Sequence, residues 1–197
     1  MSTQPVPTPD RRTRQGIAAI AGARSLGWSL ISDALAPPGS QLVARLRSGE
    51  FVEEMRLATS WLGDDAGRFL DSFMSLDVYA RRAARRTGEQ DLEDLRAEYS
   101  RLFPEGPPTV RSAVRDMAAR CDEEADAWGT GDHERAKRLR AEQFEVLESD
   151  LVDSVPRWCV WLAEDSRVAL YRSVARLILS YLSVESGRDF DRLHFSD

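Results

Sequence analysis

Two histidines, two cysteines and a dense set of carboxylates are the side chains of this 197-residue chain that could do chemistry. His133 stands in Asp132-His133-Glu134, but the second histidine of an HExxH zinc motif would fall at Lys137. It reads instead as a solvated residue in a helix's first turn, while His194 falls in the C-terminal tail. Glu145 and Glu148, three apart on a helix, have the spacing of a metal pair, yet a di-iron bundle needs Glu-x-x-His on paired helices. The chain has no such tetrapeptide. The acidic runs Asp122, Glu123, Glu124, Asp126 and Glu142, Glu145, Glu148, Asp150 therefore read as solvated helix faces. Gly129-Thr130-Gly131 follows no strand and lacks a third glycine, so it is no nucleotide loop. No GxSxG, Walker or Cys/His cluster occurs. Cys121 and Cys159 lie far apart without CxxC spacing and read as two buried thiols. The expectation is a protein with no catalytic residue, no metal and no cofactor, that is, not an enzyme.

The elements that would carry these residues are helical throughout, because the apolar positions recur at helical spacing and no segment alternates with period two. A first helix is expected from Pro9 to Leu35, stopped by Pro37-Pro38-Gly39. Arg11-Arg12 ahead of the apolar run Gly16 to Ala23, with Ala34-Leu35-Ala36 beyond, has the form of an export signal. Arg24 interrupts that run, however, and Ile17, Ile20, Trp28, Ile31 and Leu35 continue as one amphipathic helix. Gly63-Asp64-Asp65 should make a turn and a helix cap, and Arg81, Arg82, Arg85 and Arg86 should complement the end of the following helix. Val155-Pro156 should kink or end another. The result is one all-α globular domain of about eight or nine helices over 11–187, between a disordered arm (1–10) and a tail (188–197).

The charge balance, 33 acids against 27 bases, gives net −6 and disfavours nucleic acid and anionic membrane surfaces. No apolar run approaches the roughly 18 residues that span a bilayer, so stable membrane insertion is not expected.

One helix stands out. Leu95, Tyr99, Leu102 and Phe103 form a stripe that runs into Pro104, followed by Glu105-Gly106-Pro107-Pro108. Pro104 disfavours helical geometry at Phe103, and the two later prolines oppose resumption. The stripe should end with a bulky aromatic at the lip, a place that suits either core packing or a docking edge.

Several segments together resemble the TorD/DmsD/NarJ family of redox-enzyme maturation chaperones. Ala23 to Ile31 with Leu35-Ala36-Pro37-Pro38 resembles the family's opening helix and proline exit. Glu98-Tyr99-Ser100-Arg101-Leu102-Phe103 is similar to its Glu-Tyr-x-Arg-Leu-Phe segment. Gln143 to Val152, Val155-Pro156-Arg157-Trp158, Ala169 to Ala175 and Leu179 to Glu185 follow in the family's order. The resemblance implies an all-helical cytoplasmic chaperone. Its partner would be an apo-oxidoreductase subunit, or its twin-arginine signal peptide, held until the molybdenum cofactor is loaded. It also allows a homodimer through exchange of helices across a hinge. Carried onto this sequence, it implies a client-binding edge of Glu98, Tyr99, Leu102, Phe103, Pro104 and Glu105. An exposed lip would take the signal's apolar stretch, and the acids would meet its arginines. The family's Pro-Asp-His hinge, tied to guanine nucleotides, has no counterpart here, since only Thr109 to Asp116 should separate the loop from the next helix. The alternative is a divergent helical interaction or regulatory module on the same scaffold with no molybdoenzyme client.

Overall fold

Caps and breakers divide the chain much as their chemistry dictates. The computed structural model describes residues 10–190, the Asp64 side chain excepted. Most of the expected arm (1–9) and tail (191–197), with His194, lies outside the described residues. Helix α1 (Arg11–Ala34) opens on Asp10, whose carboxylate accepts the Thr13 N–H at 2.8 Å. Helices α2 (Ser40–Ser48) and α3 (Glu50–Thr59) meet at Gly49, which adopts φ +83°. A 3₁₀ stretch (Ser60–Phe69), kinked at Gly63 with φ +56°, leads into α4 (Leu70–Leu76) and α5 (Val78–Arg82). The helix expected to start beside Gly63 thus begins only at Leu70, because the tight 3₁₀ turns carry the chain past the kink first.

Helix α6 (Gly88–Leu102) starts with a reciprocal Thr87–Gln90 capping box. Helix α7 (Thr109–Thr130) begins directly after Pro108, so Thr109 to Asp116 is helix rather than spacer. Gly131 at φ +86° ends it, and Asp132 caps α8 (His133–Val146). A π turn (Leu147–Leu151) then bends the chain before α9 (Val155–Asp165). The bend therefore precedes Pro156, which sits in the first turn of α9, where its missing N–H breaks no helical bond. Helix α10 (Ala169–Ser186) closes the fold. With the near-continuous α4 and α5 taken together, these are nine α-helices, and no strand occurs among the described residues.

The longest helices set the architecture. α1 pairs with α7 along much of its length, and α8 packs on α7. α10 packs against α1, α4, α9 and the two irregular turns and buries most of its length, with Arg172 and Arg176 left partly exposed. One crossing is exceptionally close. A β-carbon at Gly27 of α1 would lie 1.8 Å from the Tyr181 hydroxyl of α10, so only glycine admits that ring. Tyr181 packs against Trp28 and Phe69 at 5.1 and 5.5 Å between centroids, and its hydroxyl donates to the Ala58 carbonyl at 3.3 Å. Both cysteines are buried and free. A smaller apolar cluster of Ala127, Trp128, Ala136 and Leu139 joins α7 to α8 and takes Ile17 and Ala18 of α1 against it. His133 leans on Trp128 at 5.3 Å, so its ring is partly covered rather than fully solvated.

Candidate functional site

The end of α6 carries the residues singled out by sequence, and the structure turns most of them inward. Leu95, Tyr99, Leu102 and Phe103 all belong to the main core. Phe103 is only 7% exposed, as is Tyr99, so no apolar lip is presented there. The reason lies in α9 and α10, which close over the stripe. Phe103 stacks on Trp158 at 6.4 Å and meets Tyr171 edge-on at 5.9 Å, while Tyr99 lies 5.0 Å from Phe103 and 6.4 Å from Tyr171. Such aromatic geometries add to the burial of large rings. The Tyr99 and Tyr171 hydroxyls are buried without a hydrogen-bond partner, and burial raises the pKa of both phenols.

Glu98 is also committed internally. It accepts two bonds from Arg101, at 2.8 and 2.9 Å, and one from the Arg167 backbone N–H at 2.6 Å. Arg101 in turn reaches the Asp165 carboxylate and carbonyl at 2.6 and 2.7 Å. The Arg101 bonds first, and the Arg167 N–H after them, hold the Glu98 carboxyl below its ordinary pKa against the opposing effect of burial. Glu98 therefore clamps α6 to the α9–α10 connection and is not free to meet a client's arginine. Of the six residues carried over, only Pro104 and Glu105 face solvent.

Two buried ionic clusters escaped the sequence reading. In the first, Arg24 of α1, 3% exposed, donates to Glu124 of α7 at 3.0 Å, to Gln143 of α8 at 2.8 Å, and through Nη2 to Glu185 of α10 at 2.8 Å. Its Nε also donates to Glu185. Gln143 returns a bond to Glu124 at 2.9 Å, and Arg140 approaches Glu185 at 3.4 Å. Burial opposes the charge on Arg24, but Glu185 above all outweighs it, leaving the guanidinium pKa raised. Cys121 lies beside this cluster, its thiol pushed up to about 12 by burial. Glu124 is thus no part of a solvated face. The available signal was the stripe itself, since Arg24 falls in register with Ala21, Trp28 and Ile31, all buried.

In the second cluster, Asp91 of α6 is fully buried beneath three arginines: Arg47 of α2 at 2.7 Å, Arg82 of α5 at 2.8 Å and Arg86 at 3.0 Å. Burial alone would raise the Asp91 pKa; its hydrogen bonds from Arg47 and Arg86 and the nearby Arg82 charge bring it below the ordinary value. Arg82 also covers the Tyr79 ring at 4.4 Å. Two of the arginines expected to complement a helix end thus serve a specific carboxylate instead, and Arg81 pairs with Asp77. Asp91 too had a legible sign, lying in register with Leu95, Glu98 and Leu102 on the buried face.

Among the described residues, no three His, Cys, Asp or Glu side chains gather as a metal site would require, and no helix is long and apolar enough to cross a membrane. The chain matches no family model, no curated protein and no solved structure. What the α6 region offers chemically is a packed aromatic and ionic junction with an exposed proline-rich exit at Pro104 and Glu105.

Proposed function

We propose that this chain is a non-catalytic chaperone of the TorD/DmsD/NarJ kind, working in the cytoplasm. Its client would be the twin-arginine signal peptide or the apo-subunit of a molybdenum-cofactor oxidoreductase, held reversibly until the cofactor is in place. One observation carries the reading. The segments on which the resemblance rests lie far apart in the sequence, yet Phe103, Trp158 and Tyr171 pack into one cluster. Three of the segments that carry the resemblance thus meet in one core, as the reading requires. The all-helical fold agrees with the same reading.

The burial of Tyr99, Leu102 and Phe103 moves client contact away from the inner stripe and toward the exposed faces of α6 and the exit beyond it. Phe103→Asp would bury a charge and weaken the fold itself, so it cannot isolate a client contact. Glu105→Lys, at an exposed position, does. The protein is tested by affinity capture of cofactor-free oxidoreductase subunits and by calorimetry with a twin-arginine peptide. Capture of the apo-subunit but not the loaded enzyme is the expected outcome. Failure to bind either the subunits or the peptides would sink the proposal.

A further inference from the structure

Helix α10 starts without a side-chain cap of its own: Val168 at the N-cap supplies no bond, and no acid stands in the first turn. Two N–H groups around its start are met from other elements instead. The Arg167 N–H donates to Glu98 of α6 at 2.6 Å, and the Leu170 N–H donates to the Tyr79 hydroxyl of α5 at 3.3 Å. The Glu98 carboxylate thus also lies at the positive end of the α10 dipole. Arg101 completes the joint, donating to Glu98 on one side and to the Asp165 carboxylate and carbonyl on the other. The joint is nevertheless thin. α6 packs helix to helix on α2, whereas its ties to α9, α10 and the connection between them (166–168) run through side chains. Arg101 and Asp165 are partly exposed, so water competes for their bond. Beneath them the Tyr99 and Tyr171 hydroxyls are buried without a partner, a cost of the closed form that opening relieves.

We propose that Glu98 and Arg101 form a latch whose opening regulates access to the aromatic stripe of α6. When their bonds to 165–167 break, the connection and the first turn of α10 loosen from α6. Tyr99, Phe103, Trp158 and Tyr171 then become accessible together, because Phe103 touches the other three rings. The closed form offers a client only the outer faces of α6 and the exit at Pro104 and Glu105. The open form adds aromatic faces and two hydroxyl donors. Segments that open in this way are drawn from the least stably held parts of a fold, and a ligand's apparent affinity scales with the open fraction. The inference rests on the chaperone reading for what uses the stripe and adds the regulation of that site. The latch itself needs only contacts within the chain.

Amide hydrogen exchange of the full chain, followed by mass spectrometry, tests the latch. Glu98→Gln, which keeps the shape but removes the charge, and Arg101→Ala, at a partly exposed position, should each speed exchange at least about tenfold in 96–103 and 165–172. Exchange in α1 and α7 should stay as in the wild type. Unchanged exchange in both variants, acceleration on only one side of the joint, or equal acceleration throughout the chain would each overturn the latch, the last by making Glu98 an ordinary stabilising contact. Affinity capture of a cofactor-free oxidoreductase subunit by the same proteins separates the two readings. Stronger capture by both variants, with local opening, supports the latch as the regulator. Local opening with no subunit captured by any of the proteins upholds the latch and removes only the chaperone reading. A subunit captured equally by the wild type and by variants that open keeps the chaperone reading and overturns the regulation.

Discussion

The two buried ionic clusters are near mirror images: at one an arginine lies among carboxylates, at the other a carboxylate lies among arginines. Around Arg24, the paired side chains of Glu124 and Glu185 are almost fully withdrawn from water, and the cluster ties together α1, α7, α8 and α10. Around Asp91, the carboxylate is sealed, but the side chains of Arg47, Arg82 and Arg86 remain a fifth to a third exposed. The difference decides what happens when the central residue is lost. Carboxylates left in the Arg24 cluster stay on side chains withdrawn from water, with Arg140 reaching only Glu185, whereas arginines released from Asp91 can swing out on long flexible stems. The first cluster is thus a keystone of the helical bundle, and the second a clasp holding α2 and α5 to the start of α6.

Arg24→Met should break the contrast open most widely. It leaves Glu124 buried without its cation and Glu185 with only the longer contact to Arg140, and the expected loss is about 3–5 kcal/mol in urea denaturation. Arg24→Met/Glu124→Gln/Glu185→Gln, which removes all three charges, should regain most of that loss. A loss for the single variant no larger than a surface pair's, under about 1 kcal/mol, would erase the distinction between the clusters.

Asp91→Asn comes next. Removing one charge where the partners reach solvent should cost about 1–3 kcal/mol, measurable by the same denaturation. A cost equal to that of Arg24→Met would show that exposure of the arginines does not matter.

The pH dependence separates the clusters in another way. The folded Asp91 pKa is lowered, so its contribution is fully present above the unfolded value and is lost as pH falls through the folded one. Thermal melts of the wild type should therefore drop as pH falls below about 4, and Asp91→Asn should flatten that drop. Parallel curves for the two proteins would remove Asp91 as the cause.

The smallest effect belongs to Arg56→Ala, which removes the exposed pair Arg56–Glu53 of α3. It should shift stability by no more than about 0.5 kcal/mol, setting the baseline against which both clusters are read.

The helices themselves were legible because their signals are local. Asp10, Thr87 and Asp132 cap helices, Pro37-Pro38 and Pro107-Pro108 separate them, and Gly49 and Gly131 take the left-handed turns that end them. The stripe Leu95, Tyr99, Leu102 and Phe103 was equally plain, and so was its stop at Pro104. Its exposure was not legible. Periodicity tells which residues share a face, not what that face meets, and here α9 and α10 bring Trp158 and Tyr171 over Phe103.

The sequence by itself determined an all-helical chain, the course of most of its helices and the side chains that share each face. Only the tertiary structure decided that the client-like stripe is interior, that Glu98 is a clamp, and that Arg24 and Asp91 are buried. The reason is reach: helical hydrogen bonds span four residues, whereas Arg24 finds its carboxylates 100 and 161 residues away, a pairing that exists only once the bundle has closed.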